Sequence, residues 1–288
     1  MILVDRKLPI SAVIITKNAA GELASCIESL AFCDEILVVD SDSEDATAEL
    51  ATSLGARVIQ THWRGFGPQK QFAVEQATHD WVLCVDADER VSAMLAVSIN
   101  GVFPSATAKS ASCARPPCSA VVSAAVVSPE TGISSSAPTG NSTVAFRFAR
   151  CNRFMGKYLR HGEGYPDWSL RLFDRRAARW SEDVVHEKVL VNRGEIGSLA
   201  GDLLHESAES LDNYLAKQNR YSTLAAETAL AAGKRASVAQ LLLSPLVRFV
   251  KFYFLRLGFL DGIPGLVHIL IGCIASFSKY AKMLAAQK

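Results

Sequence analysis

A chain of 288 residues with 49% hydrophobic side chains holds one large domain, or a domain with an appendage. A net charge of +1 excludes the strongly basic field of a nucleic-acid binder. The charge is polarised all the same: residues 1–100 carry fifteen Asp/Glu against seven Lys/Arg, whereas from Lys234 onward eight basic residues meet only Asp261. An acidic catalytic end and a basic end facing something anionic are expected. The seven cysteines (26, 33, 84, 113, 118, 151 and 273) have neither zinc nor disulfide-framework spacing, which points to a reducing compartment. Ile2-Leu3-Val4 is cut off by Asp5, Arg6 and Lys7, too short for a signal-peptide core, so a cytoplasmic location is expected.

Ile10–Thr16 reads as a first buried strand ending in Lys17-Asn18, and Glu22–Phe32 as a helix with apolar residues at helical spacing. Glu35–Asp40 is a second strand, Ser43–Leu54 a helix stopped by Gly55, and Arg57–Gln60 a third strand. A Gly/aromatic loop, Trp63–Gly67, leads to Pro68 as the first residue of a helix through Ala77. Trp81–Val85 is a fourth strand that ends in Asp86, Asp88 and Glu89. This alternation predicts an α/β fold with a mostly parallel sheet flanked by helices. Ligands collect at the carboxyl edge of such sheets, and Asn18, Asp40 and Asp86 all end strands there. A solvated acidic turn is the bland reading of Asp86-x-Asp88. The other is a divalent-cation site, since Mg²⁺ takes one or two carboxylates plus substrate phosphates. No Gly-x-Gly-x-x-Gly follows the first strand, which argues against a dinucleotide fold.

Residues 104–143 are rich in Ala, Ser, Pro, Gly and Thr and read as a flexible insertion. Arg147–Arg179 is basic with interleaved Gly and aromatic residues, as in a loop-built pocket for a phosphorylated or acidic ligand. His186, within Val184–Val189, is either a structural histidine or the group that completes a metal shell begun by Asp88. Ser207–Gly233 reads as an amphipathic helix. Ser244-Pro245 reads as the N-cap and first turn of an apolar helix ending near Gly258, with Arg248, Lys251 and Arg256 on one broad face. Pro264 begins another apolar helix. The uncharged run Gly262–Ser278 has 17 residues, the lower limit for a bilayer of roughly 30 Å. A hairpin over 245–285 lying in one leaflet is therefore expected, and a helical pair packed on the domain or on a dimer partner is the alternative. The domain division that follows is 1–205 and a C-terminal helical, membrane-associating region 206–288.

The motifs VIITKN, ILVVDSDSEDAT, GFGPQKQFAVEQA and WVLCVDADE resemble those of family 2 glycosyltransferases of GT-A fold. The run RCNRFMGKYLRHGEGYPDWSLRLFDRRAARW, then VHEKV and GFLDG, is similar to lipopolysaccharide-core β-1,4-glucosyltransferases, which add glucose to an inner-core heptose. The resemblance spans nearly the whole chain except 104–143. It implies that Asn18, Asp40, Lys70 and Asp86 hold a nucleotide sugar and that Asp88 and Asp86 hold Mg²⁺ or Mn²⁺. Ser41 stands where many members have a second Asp near the base, and Asp42 where a Gly is frequent. The implied donor is UDP-glucose. The implied acceptor is a lipid-linked or lipopolysaccharide-core saccharide at the cytoplasmic face of the inner membrane, with no nucleic acid involved.

The residues themselves suit that chemistry. A leaving diphosphate needs charge neutralisation, which a cation and Lys70 supply. An inverting displacement needs a carboxylate base; Asp167 is the candidate, with Glu163 and Glu187 in reserve. Arg153, Arg160, Trp168 and Arg171 are the candidate acceptor contacts. A polyprenyl-phosphate hexosyltransferase is the nearest rival within the transferases. A nucleotidyltransferase, which lacks its Gly-rich basic loop here, and a non-catalytic membrane scaffold are the readings of other classes.

Overall fold

The computed structural model describes residues 7–103, 143–183, 187–206 and 210–287. The insertion expected at 104–143 lies, apart from Thr143, outside the described residues, as does His186. Four parallel strands form the N-terminal half: β1 (Leu8–Thr16), β2 (Cys33–Asp40), β3 (Arg57–Gln60) and β4 (Trp81–Asp86), in the order β3-β2-β1-β4. Helices α1 (Leu23–Ser29), α2 (Thr47–Ser53) and α3 (Phe66–Gln76) connect them. Thr16 is in register with Asp40, and Ile15 with Asp86, so the polar strand ends share one edge.

Beyond β4 the sheet becomes mixed. The remaining elements are β5 (Glu89–Val91), α4 (Ala93–Val102), β6 (Thr143–Phe154), β7 (Lys157–Tyr158), β8 (Asp167–Asp174), β9 (Ala178–Trp180), β10 (Val189–Val191) and β11 (Glu195–His205). The path continues β4-β8-β6-β11-β5. β8 is antiparallel to both β4 and β6, β11 is parallel to β6, and β5 is antiparallel to β11. Only Ala87 and Asp88 separate β4 from β5, which nevertheless ends the path, so this half curls back toward β4. Arg147–Arg179, expected as a loop-built pocket, is therefore largely strand. Arginines interrupt its apolar runs and hide the strand pattern, and the fold buries Arg171 by giving it acidic partners.

Both faces of the sheet are covered. Ile10, Ile14, Leu83, Phe148 and Leu172 pack with Leu23 and Ile27 of α1 and Leu95 and Ile99 of α4. Val13, Val39, Val82 and Phe173 pack on the other side with Ala73 and Val74 of α3 and with Trp180.

The C-terminal region consists of α5 (Leu211–Ala231), α6 (Val238–Phe249), a π-helical turn Val250–Leu255, a 3₁₀ turn Gly258–Asp261 and α7 (Gly262–Ala286). The helix expected to start at Ser244-Pro245 starts at Ser237 instead. There a capping box with Gln240 satisfies two backbone donors, and Pro245 falls inside the helix. The segments Val238–Leu255 and Gly258–Ala286 are long and apolar enough to cross a membrane by length and composition. The basic face expected to meet head groups is partly turned inward. Arg248 is ion-paired with Glu163, Arg256 donates to the Tyr165 carbonyl at 3.0 Å, and Lys282 donates to Asn219 Oδ1 of α5 at 2.7 Å.

Candidate active site

Asp86 ends β4 between two buried cations. Lys70 Nζ from α3 is 3.1 Å from its Oδ1, and an Arg171 terminal nitrogen from β8 is 3.0 Å from its Oδ2. Burial alone would raise the Asp86 pKa; Arg171 and Lys70 outweigh it and hold the carboxyl far below the usual range. Glu89 lies beneath, fully buried. Its Oε2 accepts the Asp86 amide at 3.0 Å, while its Oε1 is 3.3 Å from Arg171 and 2.8 Å from Arg150. Burial and the neighbouring Asp86 charge push Glu89 up against the opposing pull of Arg171 and Arg150. The two-residue turn is thus fixed from below by a buried charge network, and Asp88 projects from it half exposed.

Asp88 Oδ2 lies 3.1 Å from His205 Nε2, at the end of β11, and His205 Nδ1 lies 2.9 Å from Asn152 Oδ1. With Asn152 Oδ1 accepting from Nδ1–H, the contact to Asp88 is an ion pair where the ring is protonated, and a cation shared between Nε2 and Oδ2 would serve the same contact where it is not. Among the described residues no cluster of three or more His, Cys, Asp or Glu could hold a metal ion, so the protein supplies at most this pair. Asp88 and His205 could supply two ligands to a divalent cation, whose remaining ligands would be substrate oxygens or water.

The pair opens on a cleft of about 620 Å³, walled by Asn18 and Glu22 after β1, by Trp63 and Phe66 before and on α3, and by Arg150 and Glu206. Trp63 and Phe66 meet edge to face at 4.9 Å and remain half exposed. Asn18 takes φ +51° and accepts the Glu44 amide at 2.8 Å, tying the loop after β1 to the loop after β2. Asp42 adopts φ +56°, in the left-handed region that favours glycine.

Asp40, expected to touch the nucleotide, is buried. It accepts from Thr16 Oγ1 at 3.0 Å and from the amide and hydroxyl of Ser43, so it supports the loop rather than lining the cleft. Ser41 is also buried, and its hydroxyl accepts from Gln69 Nε2 at 2.9 Å. Arg171, expected to meet an acceptor, is instead buried under Asp86 and Glu89.

Of the three candidate bases, Glu163 is held by Arg248, with Nε 3.0 Å from Oε2, and lies against Gly272 of α7, away from the cleft. Glu187 is bound to Lys70 at 3.0 Å. Asp167 is half exposed at the start of β8, in register with Arg150 and 3.8 Å from it. Arg153 pairs with Glu206 at 2.7 Å, Arg160 with Asp202 at 3.1 Å, and half-exposed Trp168 lies under the Arg147 guanidinium. His205 and Glu206, absent from the sequence expectations, had one visible signal: the apolar strand end Leu203-Leu204 runs straight into them.

The glycosyl transferase family 2 profile matches residues 11–96, which cover β1 to β5 and the start of α4. The chain is 31% identical over 284 residues to the lipopolysaccharide core biosynthesis glycosyltransferase LpsC of Rhizobium meliloti (strain 1021), covering 96% of this chain and 92% of that one. It is 30% identical over 283 residues to an uncharacterized glycosyltransferase of Rickettsia felis, covering 95% and 89%. Among solved structures, glucosyl-3-phosphoglycerate synthase from Mycobacterium tuberculosis aligns with a TM-score of 0.30 and 24% identity, over 34% of this chain and 40% of that chain. The near full-length match to LpsC, together with a family 2 profile lying over the strands that build the cleft, makes this chain a member of glycosyl transferase family 2, a glycosyltransferase of GT-A-like α/β fold.

Proposed function

We propose that the enzyme transfers glucose from UDP-glucose, with inversion, onto a heptose of the lipopolysaccharide inner core. The observation that carries this reading is the Asp88–His205 pair opening on a cleft whose floor holds Lys70 against Asp86. Similarity to LpsC supports the lipopolysaccharide acceptor.

The donor would lie with its nucleoside toward Asn18, Trp63 and Phe66 and its diphosphate toward Asp88 and His205. A divalent cation bound there would neutralise charge on the departing diphosphate. Lys70 adds a fixed positive charge beneath Asp86, and the buried network keeps both from swinging away. Asp167 removes the proton from the acceptor hydroxyl. The oxygen then bonds to the anomeric carbon as the bond to the diphosphate breaks, and the electron pair leaves with the nucleotide. Asp167 is preferred to Glu163 and Glu187, which are committed to Arg248 and Lys70, because it is exposed and lies 3.8 Å from Arg150, a residue of the cleft wall, although Asp167 does not itself line the cleft.

The enzyme works at the cytoplasmic face of the inner membrane, held there peripherally by the exposed apolar side of α6 and the start of α7. Leu246, Val247, Leu255 and Ile263 are each more than 60% exposed. A hydrolysis panel of UDP- and GDP-sugars with Mg²⁺ or Mn²⁺ tests the donor. UDP-glucose is expected to be cleaved fastest, and preferential cleavage of a GDP-sugar would overturn the assignment. Transfer to polyprenyl phosphate, with none to a heptose-terminated core, would overturn the acceptor.

A further inference from the structure

The turn Gly258-Phe259-Leu260-Asp261-Gly262, between the π-helical stretch and α7, takes no part in the transfer chemistry, yet it has two unlike sides. The inward side is polar and tight. Asp261 is buried and accepts the Arg160 amide at 3.0 Å and the His161 amide at 2.8 Å, with His161 Nδ1 3.0 Å from its other oxygen. Beside it the two backbones meet glycine to glycine. A Cβ at Gly258 would lie 2.4 Å from Ile269 and 3.4 Å from the Gly162 Cα, and Gly162 donates its amide to the Arg256 carbonyl at 2.9 Å. Arg256 donates in turn to the Tyr165 carbonyl at 3.0 Å, and Lys157 Nζ to the Leu260 carbonyl at 3.3 Å. Residues 157–165 are thus clamped to the turn, and Asp167 follows two residues later at the start of β8.

The outward side is apolar. Leu255, Phe259, Leu260 and Ile263 are between 43% and 74% exposed, and this surface continues onto the exposed side of α6 that includes Leu246. Asp261 is the sole carboxylate from Lys234 onward and it is turned inward, while Lys251 stays exposed. The outward side therefore shows no negative charge to a surface of anionic head groups, and its apolar residues suit the boundary between head groups and acyl chains.

The turn is short, a π-helical and a 3₁₀ stretch meeting near Leu257 at φ +55°. Segments of this kind open locally at low cost in free energy. A surface that accepts the outward side chains only while the inward contacts are made adds its binding free energy to the closed state. We propose that the turn positions the acceptor side of the active site and that a bilayer completes this positioning: docking of the outward side chains orders residues 157–165 and, through them, Asp167. Asp261 is a positioning residue, acting through the segment it holds. The inference rests on the bilayer contact and the role of Asp167 proposed above, and adds that the membrane regulates transfer as well as location.

Amide hydrogen exchange of the full chain reads the clamp at Arg160, His161 and Gly162 with no donor or acceptor present, so a wrong sugar assignment leaves the outcome intact. Exchange in a peptide covering residues 157–166 is expected to slow by roughly tenfold or more when phosphatidylglycerol vesicles are added, with β1 to β4 unchanged. The double variant Leu255→Glu, Ile263→Glu is expected to keep the lipid-free rate and lose the response to lipid. Asp261→Ala is expected to exchange fast with and without vesicles. In transfer to core oligosaccharide freed of its lipid, vesicles are expected to raise kcat in the wild type and not in either variant, with the KM for donor unchanged. Wild-type protein that floats with vesicles but exchanges at its lipid-free rate over 157–166 would overturn the coupling and leave the bilayer contact standing; failure to float would overturn both. Exchange that slows with rising protein concentration in the absence of lipid would give the face to a second copy of the chain and overturn the proposal.

Discussion

At the residue scale the site divides into groups that touch substrate and groups that hold them. In the proposed function Asp88 and His205 belong to the first kind, and Asp86, Glu89, Arg171 and Lys70 form the buried frame below. That Asp86 and Asp88 end a strand at the carboxyl edge of the sheet was legible from the buried run before them; that Asp86 would be taken up by Lys70 and Arg171 was not, because Arg171 lies 85 residues away. His205 was not, because its contact with Asp88 spans 117 residues and depends on the sheet curling back. Asp167→Asn is expected to bind donor normally and to slow transfer by about a hundred- to ten-thousand-fold. Normal transfer by that variant, with Glu187→Gln inactive, would move the base to Glu187. His205→Ala is expected to weaken Mn²⁺ binding, read by the paramagnetic resonance signal of free Mn²⁺; unchanged binding would remove it from the metal site.

At the element scale, strands β1 to β4 and their helices could be read from buried runs ending in polar residues, since parallel strands covered on both faces leave an uninterrupted apolar signature. β8 was illegible because Arg171 interrupts its apolar run and is tolerated only by virtue of partners from β4 and β5. Pro245 misled for the opposite reason: a good local start signal lost to the capping box at Ser237 one to two turns earlier. Glu35 of β2 joins several elements, accepting from Ser11 of β1, Arg57 of β3 and the Thr78 amide before β4. Burial would raise its pKa, but these hydrogen bonds prevail and lower it from 4.5 to about 2. Its contribution to stability is therefore complete above pH 4.5 and lost as pH falls toward about 2. Glu35→Gln should lower the urea midpoint at neutral pH and flatten the acid limb in that window; an acid limb identical to wild type would refute the linkage. Gly201 of β11 has φ +99°, and a Cβ there would lie 2.3 Å from the Leu95 amide nitrogen at the start of α4. Gly201→Ala is expected to cost at least about 1–3 kcal/mol in chemical denaturation, and an unchanged midpoint would contradict the close approach.

At the scale of the whole molecule, the C-terminal helices are fastened to the segment that leads into Asp167. Asp261 accepts the Arg160 and His161 amides at 3.0 and 2.8 Å, Gly162 donates its amide to the Arg256 carbonyl at 2.9 Å, and Arg248 holds Glu163. Sequence pattern revealed the apolar helices. It could not reveal that Arg248, Arg256 and Lys282 would be drawn inward, because their partners lie about 60 to 90 residues away. The proposed membrane contact therefore rests on the exposed apolar side of α6 more than on charge. Leu246→Glu combined with Leu255→Glu in the full chain should abolish flotation with phosphatidylglycerol vesicles, and undiminished flotation would place the contact elsewhere.

The central claim, a cation held by Asp88 and His205 that secures a nucleotide sugar, is tested most directly by calorimetric titration of UDP-glucose with Mn²⁺ or with EDTA. The structure predicts saturable binding with Mn²⁺ that is lost in EDTA and lost with Mn²⁺ present in Asp88→Asn. Equal binding in Mn²⁺ and EDTA, or an Asp88→Asn titration that overlays the wild type, would contradict it.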